Sequence, residues 1–201
     1  GLGMRLVKRA REFLREQPLR LGINRDIREM AAAVAKASPK PDDDQAVISF
    51  NASTRISGLS LNAAFGMLTS WSLRLKGVRV GHFVCKRGMT RCVLGTDRDD
   101  VFALPPCQKC LNQSSAVYDR SDVIWMDYYH SAELAKRLQD TELELLQKFL
   151  YEGIPLGKLC LPSMRWILRR HHLEDNHDTR VLYRHYILSA FKVAKQFSTL
   201  I

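Results

Sequence analysis

Ala46-Val47-Ile48-Ser49-Phe50, then a polar loop, then a long apolar helix, then Val78-Arg79-Val80-Gly81-His82-Phe83-Val84: this stretch decides the fold. The first run is short and nearly continuously apolar, the pattern of a parallel strand covered on both faces. Residues 51–58, Asn-Ala-Ser-Thr-Arg-Ile-Ser-Gly, form the loop. A helix over about 59–76 follows, with Leu61, Ala64, Phe65, Leu68 and Leu75 expected to point inward, and Gly77 closes it. Strand, helix and strand in this order make a parallel pair with a right-handed crossover. The expected class is α/β, a Rossmann-like parallel sheet with flanking helices.

Outward from this unit, Asp122–Tyr128 reads as a third strand. Helices are expected at about 131–151, 163–170 and 178–198, the last with Leu182, Tyr186, Ile187, Ala190, Phe191 and Ala194 on its apolar side. Upstream, residues 4–17 have the spacing of a basic amphipathic helix ended by Pro18, and a second helix begins near Asn24 or Asp26. The run Ser38-Pro39-Lys40-Pro41 before Asp42-Asp43-Asp44 breaks the chain. Two domains are read on either side of it: a helical arm over 1–42 and the α/β domain over 43–201.

The chain has 201 residues and a formal charge of +10, which favours acidic partners such as nucleic acid, anionic lipid or phosphorylated substrates. The excess is uneven. Residues 1–40 hold ten Lys or Arg against four Asp or Glu, a pattern that suits an electrostatic tether better than a basic binding face on the main domain. Simple solvated helix faces are the plainer reading, with an anionic membrane surface or a partner as the alternatives. No apolar run reaches the roughly 20 residues of a spanning helix, and arginines and lysines break up the first apolar residues, unlike a secretory signal. A cytoplasmic protein, held at most at the inner face of the membrane, is expected.

Five cysteines without secretory features point away from a disulfide framework. Four of them, Cys85, Cys92, Cys107 and Cys110, are spaced as Cys-x6-Cys, fourteen residues, Cys-x2-Cys. Two such pairs supply four soft ligands for a tetrahedral structural zinc. An iron–sulfur cluster, a redox-active Cys107–Cys110 pair and plain buried thiols are the other readings. Cys160, between two leucines, is expected in the core.

Other candidates follow from position. The loop after the first strand feeds a helix N-terminus, where α/β sheets bind ligands, so Asn51, Ser53, Thr54, Arg55 and Gly58 are candidate substrate contacts. The turn Tyr151–Gly157 precedes an arginine cluster, and Gly153, Arg165 and Arg170 join the list as a clamp for phosphate or carboxylate. His130 and Asp127, at the end of the third strand, are candidate general bases.

Four segments carry a resemblance: "VISFNASTRISGLSLNAAF", "GVRVGHFVCKRGMTRC", "PPCQKC" and "YEGIPLGKLCLPSMRWILRR". Together, over roughly 45–198, the chain resembles glycosyltransferase-like proteins of bacterial capsule and surface-polysaccharide biosynthesis. The resemblance implies the N-terminal, acceptor-side half of a two-domain enzyme of GT-B architecture. A glycan or lipid-linked acceptor would bind here, and a nucleotide-sugar donor on a C-terminal half that these residues do not include. On that reading the chain is part of a larger protein and inactive alone. The alternatives are a non-enzymatic zinc module that binds nucleic acid, less favoured because the basic excess sits in one arm, and an iron–sulfur protein.

Overall fold

A computed structural model describes residues 22–41, 46–51, 56, 58–92, 100, 102–127 and 131–200. The amphipathic segment 4–17 and the break at 42–45 therefore lie outside the described residues. The chain divides into two compact units. Among the described residues one takes in 22–84 with Gln108–Trp125, and the other Cys85–Cys107 with 126–200.

The first unit is built on three strands, β1 (Ala46–Phe50), β2 (Arg79–Cys85) and β3 (Asp122–Met126), and three helices, α1 (residues 22–37), α2 (Leu61–Leu75) and α3 (Cys107–Val117). The sheet is parallel with the order β1-β2-β3. Phe50 stands beside Phe83 in the register, and their rings stack at 5.5 Å. Both connections step the sheet in one direction, so right-handed crossovers put α2 and α3 over one face. The core agrees: Met67 and Trp71 of α2, Val117 of α3, and Ile27 and Ala31 of α1 cluster with Val84. The described part of the expected arm thus packs on the sheet.

Two expectations are corrected here. The apolar run predicts a buried strand, but Val47 and Phe50 are exposed; among the described residues β1 is an edge strand with a neighbour on one side only. In α2 the buried residues are Ala63, Met67, Ser70 and Trp71, whereas Leu61, Phe65, Leu68 and Leu75 lie exposed. The helix has two stripes, and the one with Ala63, Met67, Ser70 and Trp71 faces the sheet. Close packing favours it: a Cβ on Gly66 would lie 3.8 Å from Ser49 Oγ. Ser60 starts the helix, its hydroxyl accepting the Ala63 N–H at 3.2 Å.

The second unit is helical: α4 (Ala132–Leu138), α5 (Leu143–Gln147), α6 (Leu156–Leu168) and α7 (His177–Phe197). The single helix expected over 131–151 is two. Leu134, Leu138, Leu143 and Leu146 are all buried, and the five-residue step from Leu138 to Leu143 would put them on different faces of one continuous helix. A turn through Asp140, at φ 58°, restores the alignment. α6 starts seven residues before the expected helix and carries Pro162 inside it, at an exposed position. The expected helix begins only after the proline; Leu156, Cys160 and Met164, four apart and buried, run the helix through it. Gly157 is obligatory, since a Cβ there would strike the main chain of Leu146 and Phe149. Its carbonyl accepts the Tyr183 hydroxyl at 2.8 Å. Asn176 caps α7, and Leu182, Tyr186, Ile187 and Phe191 face inward as expected. Cys160 is in this core, where burial pushes its thiol up to about 12. Among the described residues no helix is long and apolar enough to cross a membrane.

Candidate functional site

In a parallel sheet the carboxyl ends of the strands are where loops can meet a ligand. At β1 that loop begins with Asn51, whose N–H donates to the Phe83 carbonyl at 3.2 Å, one step beyond the ladder. Its side chain hydrogen-bonds the Tyr118 phenol, which burial nevertheless pushes up to about 12. At the other end is Gly58, at φ +70°, a conformation that suits glycine. Its carbonyl accepts from Gln113 Nε2 at 2.7 Å. The same Gln113 nitrogen donates to Asn24 Oδ1 at 2.9 Å, and Asn24 Nδ2 donates back to Gln113 Oε1 at 3.2 Å. Gln113 is fully buried at 0 % exposure, so this amide pair is a fixed interior clamp on the loop's exit. Ser53, Thr54 and Arg55 lie outside the described residues.

Neither Gln113 nor Asn24 was legible as a site residue. A buried glutamine on an apolar-poor helix such as α3 has the same spacing as a solvated one. The pair Ser70 and His82 was missed for a related reason. Ser70 Oγ lies 2.9 Å from His82 Nε2, both residues buried, with the imidazole against the Tyr118 ring at 4.6 Å. Burial drives the His82 pKa down to about 4, Arg74 adds to the drop, and Asp122 opposes it. The ring is therefore neutral at pH 7, and its enclosure makes it a core element. The only sequence signal was a histidine inside the apolar run Val80–Val84.

None of the five cysteines is in a disulfide. Cys85 ends β2, and its sulfur accepts the Gly88 N–H at 3.2 Å. Lys192 of α7, only 2 % exposed, is pushed down to about 8 by burial while Cys85 pulls it upward. The turn after Cys85 is fastened to α7 by Thr90, whose N–H donates to Ser189 Oγ at 3.2 Å and whose hydroxyl donates to the His185 carbonyl at 3.1 Å. Cys92 and Cys107 are half-buried in the same unit, and Cys110, also half-buried, belongs to the first unit. Among the described residues no group of three or more His, Cys, Asp or Glu side chains is gathered to hold a metal. The donor chemistry suits zinc; the four-cysteine centre is not assembled here.

The remaining candidates separate. His130 lies outside the described residues. Asp127 forms an exposed ion pair with Lys86 at 3.6 Å. Gly153, at φ +77°, and Glu152 make the tight turn between the bridge partners Tyr151 and Ile154. Arg170 pairs with Glu174 at 2.6 Å, and Arg165 tucks its Nε into the protein without a hydrogen-bond partner. In the first unit an open hollow of about 360 Å³ is lined by Arg25, Arg28, Glu29, Ala32, Asp119 and Arg120. Its charges are largely matched on the spot, Arg25 by Asp26 and Glu29 and Arg120 by Asp119.

These observations define a parallel α/β unit joined in sequence to a helical unit. Comparison with family models, with curated proteins and with solved structures finds no match.

Proposed function

We propose that residues 43–201 form the Rossmann-like acceptor-side domain of a sugar-nucleotide-dependent glycosyltransferase of surface-polysaccharide biosynthesis. The observation that carries this reading is the loop at the carboxyl end of β1. Asn51 and Gly58, at the two ends of the loop, are both tied to the scaffold, by Phe83 and Gln113. That is how α/β sheets display ligand-binding loops. The four resembling segments add the substrate class: a glycan or lipid-linked acceptor here, with a nucleotide-sugar bound by another half of the protein. His130 and Asp127 are the proposed bases for acceptor deprotonation, and Ser53, Thr54, Arg55, Gly153, Arg165 and Arg170 the proposed contacts. Cys85, Cys92, Cys107 and Cys110 would hold a structural zinc, which supplies a cross-link and no chemistry. The basic N-terminal residues would hold the protein to anionic lipid on the cytoplasmic side.

The test is amide-resolved NMR with a lipid-linked glycan acceptor in detergent micelles. Shifts at Asn51 and Gly58, absent with empty micelles, are expected; none at saturating acceptor would refute the reading. Elemental analysis of protein purified without added metal tests the centre. Zinc lost in Cys107→Ser supports it, absorbance at roughly 400 nm would mean iron–sulfur instead, and no metal would remove it. Binding to a generic duplex that weakens steeply with salt would favour the nucleic-acid alternative.

A further inference from the structure

α6 has two faces of different character. Leu156, Cys160 and Met164 are buried in the core of the helical unit. About half a turn round the helix, Leu159, Pro162 and Trp166 make a row at steps of three and four, with Leu159 59 % exposed and Trp166 66 %. Beside it runs a second row, Lys158, Arg165 and the helix-ending Arg169, at steps of seven and four. Between Glu152 and Glu174 the sequence has no acidic residue, but four Lys or Arg and the pair His171-His172. Arg170 is held by Glu174 at 2.6 Å, whereas the exposed Lys158 and Arg169 form no ion pair among the described residues.

An apolar row flanked by free cations selects its occupant by charge. What suits both rows at once is a surface with negative charge outside and hydrocarbon just beneath it. The phosphates of an anionic bilayer would meet Lys158 and Arg169, and the acyl boundary would take Leu159 and the Trp166 ring, a side chain that favours this depth. A nucleic acid would satisfy the cations but leave Leu159 and Pro162 in water, and one aromatic ring offers no succession of stacking platforms. An acidic protein would need a groove shaped to this convex ridge, which a fluid interface does not. A second copy would bring the same cations and be repelled. Pro162 sets the depth. Without an N–H it cannot serve the Lys158 carbonyl four residues back, and a carbonyl lacking its helical donor belongs in the wet headgroup layer.

We propose that the outer face of α6 docks the helical unit on an anionic lipid bilayer. The helix lies in the headgroup layer, with Leu159 and Trp166 entering the acyl boundary and Lys158 and Arg169 on lipid phosphates. This surface is separate in sequence from the basic N-terminal residues, and it needs no acceptor to be bound.

Tryptophan fluorescence of the full chain with vesicles of equal parts phosphatidylserine and phosphatidylcholine, with and without bromine on the acyl chains, tests this. Emission should shift to the blue and be quenched by the brominated lipid. Trp71 and Trp125 lie in the sheet unit, so Trp166→Phe should abolish both signals. Lys158→Gln and Arg169→Gln should each weaken vesicle binding about fivefold, the effect of one cation at such a surface. Leu159→Glu should weaken it too, with an unchanged circular dichroism spectrum. Vesicles of phosphatidylcholine alone should bind far less. Binding without quenching overturns the proposal, since the N-terminal residues would then hold the protein by themselves. So does quenching that survives Trp166→Phe, equal binding to uncharged vesicles, or no binding to either. Quenching of Trp166 by a generic duplex and not by vesicles would assign the face to nucleic acid instead.

Discussion

The two units differ in which apolar residues their helices bury. In the helical unit Leu134, Leu138, Leu146 and Leu182 are almost wholly buried between α4, α5, α6 and α7, with Leu145, Leu159 and Trp166 left exposed. In the sheet unit Leu61, Phe65, Leu68 and Leu75 of α2 and Val47 and Phe50 of β1 face outward, and the interior holds polar pairs, Ser70 with His82 and Asn24 with Gln113. An apolar stripe therefore reports that a surface wants covering, not that it is covered within the same unit.

Matched truncations sharpen the contrast. Leu182→Ala, at 0 % exposure in the α4–α7 core, should cost about 3 kcal/mol in urea denaturation. Gln113→Leu should cost about 2 kcal/mol, because it strands the Asn24 amide and the Gly58 carbonyl in the interior. Hydrogen exchange should localise that loss to the sheet unit; equal loss of protection in α6 and α7 would break the comparison.

Acid should weaken both units. His82 in the first and His185 in the second are each driven from the usual 6.5 to about 4, mainly by burial, with Arg74 and Arg91 respectively acting in the same direction. Below pH 6.5 the unfolded chain binds protons that the folded chain refuses until about pH 4. Their contribution is therefore complete above pH 6.5 and is lost as the pH falls towards 4. Urea midpoints at intervals between pH 7 and 4 should fall, and His82→Gln should flatten the slope for the sheet unit alone. The smallest effect belongs to Leu61→Ala. A leucine of the same apparent quality as Leu182, but 79 % exposed, should change stability by less than about 0.5 kcal/mol.

The sheet was legible because its strands are runs of β-branched and aromatic residues separated by a helix of ordinary length. α7 was legible because its single apolar stripe leaves one way to pack. α2 was not, since periodicity finds stripes but cannot say which of two meets the sheet. The α4–α5 break depended on one extra residue between Leu138 and Leu143, a phase error invisible unless the facing core is known. The candidate loop was legible only as a place. Its position after β1 follows from strand order, but the amide that holds Gly58 comes from α3, 55 residues away. Cysteine spacing names a donor set, while bringing donors together depends on the fold.

The Gln113 clamp ties the protein's chemical ageing to its loop. Gln113 Nε2 is the donor to both Asn24 and Gly58. Slow hydrolysis of that one amide to an acid would add a single oxygen-for-nitrogen exchange, almost without change of size. Both donated bonds would become oxygen facing oxygen, and the exit of the loop would be released. A preparation deamidated at this residue would thus change first at Asn24 and Gly58, and the change could be read from the Gly58 amide before any in the global fold.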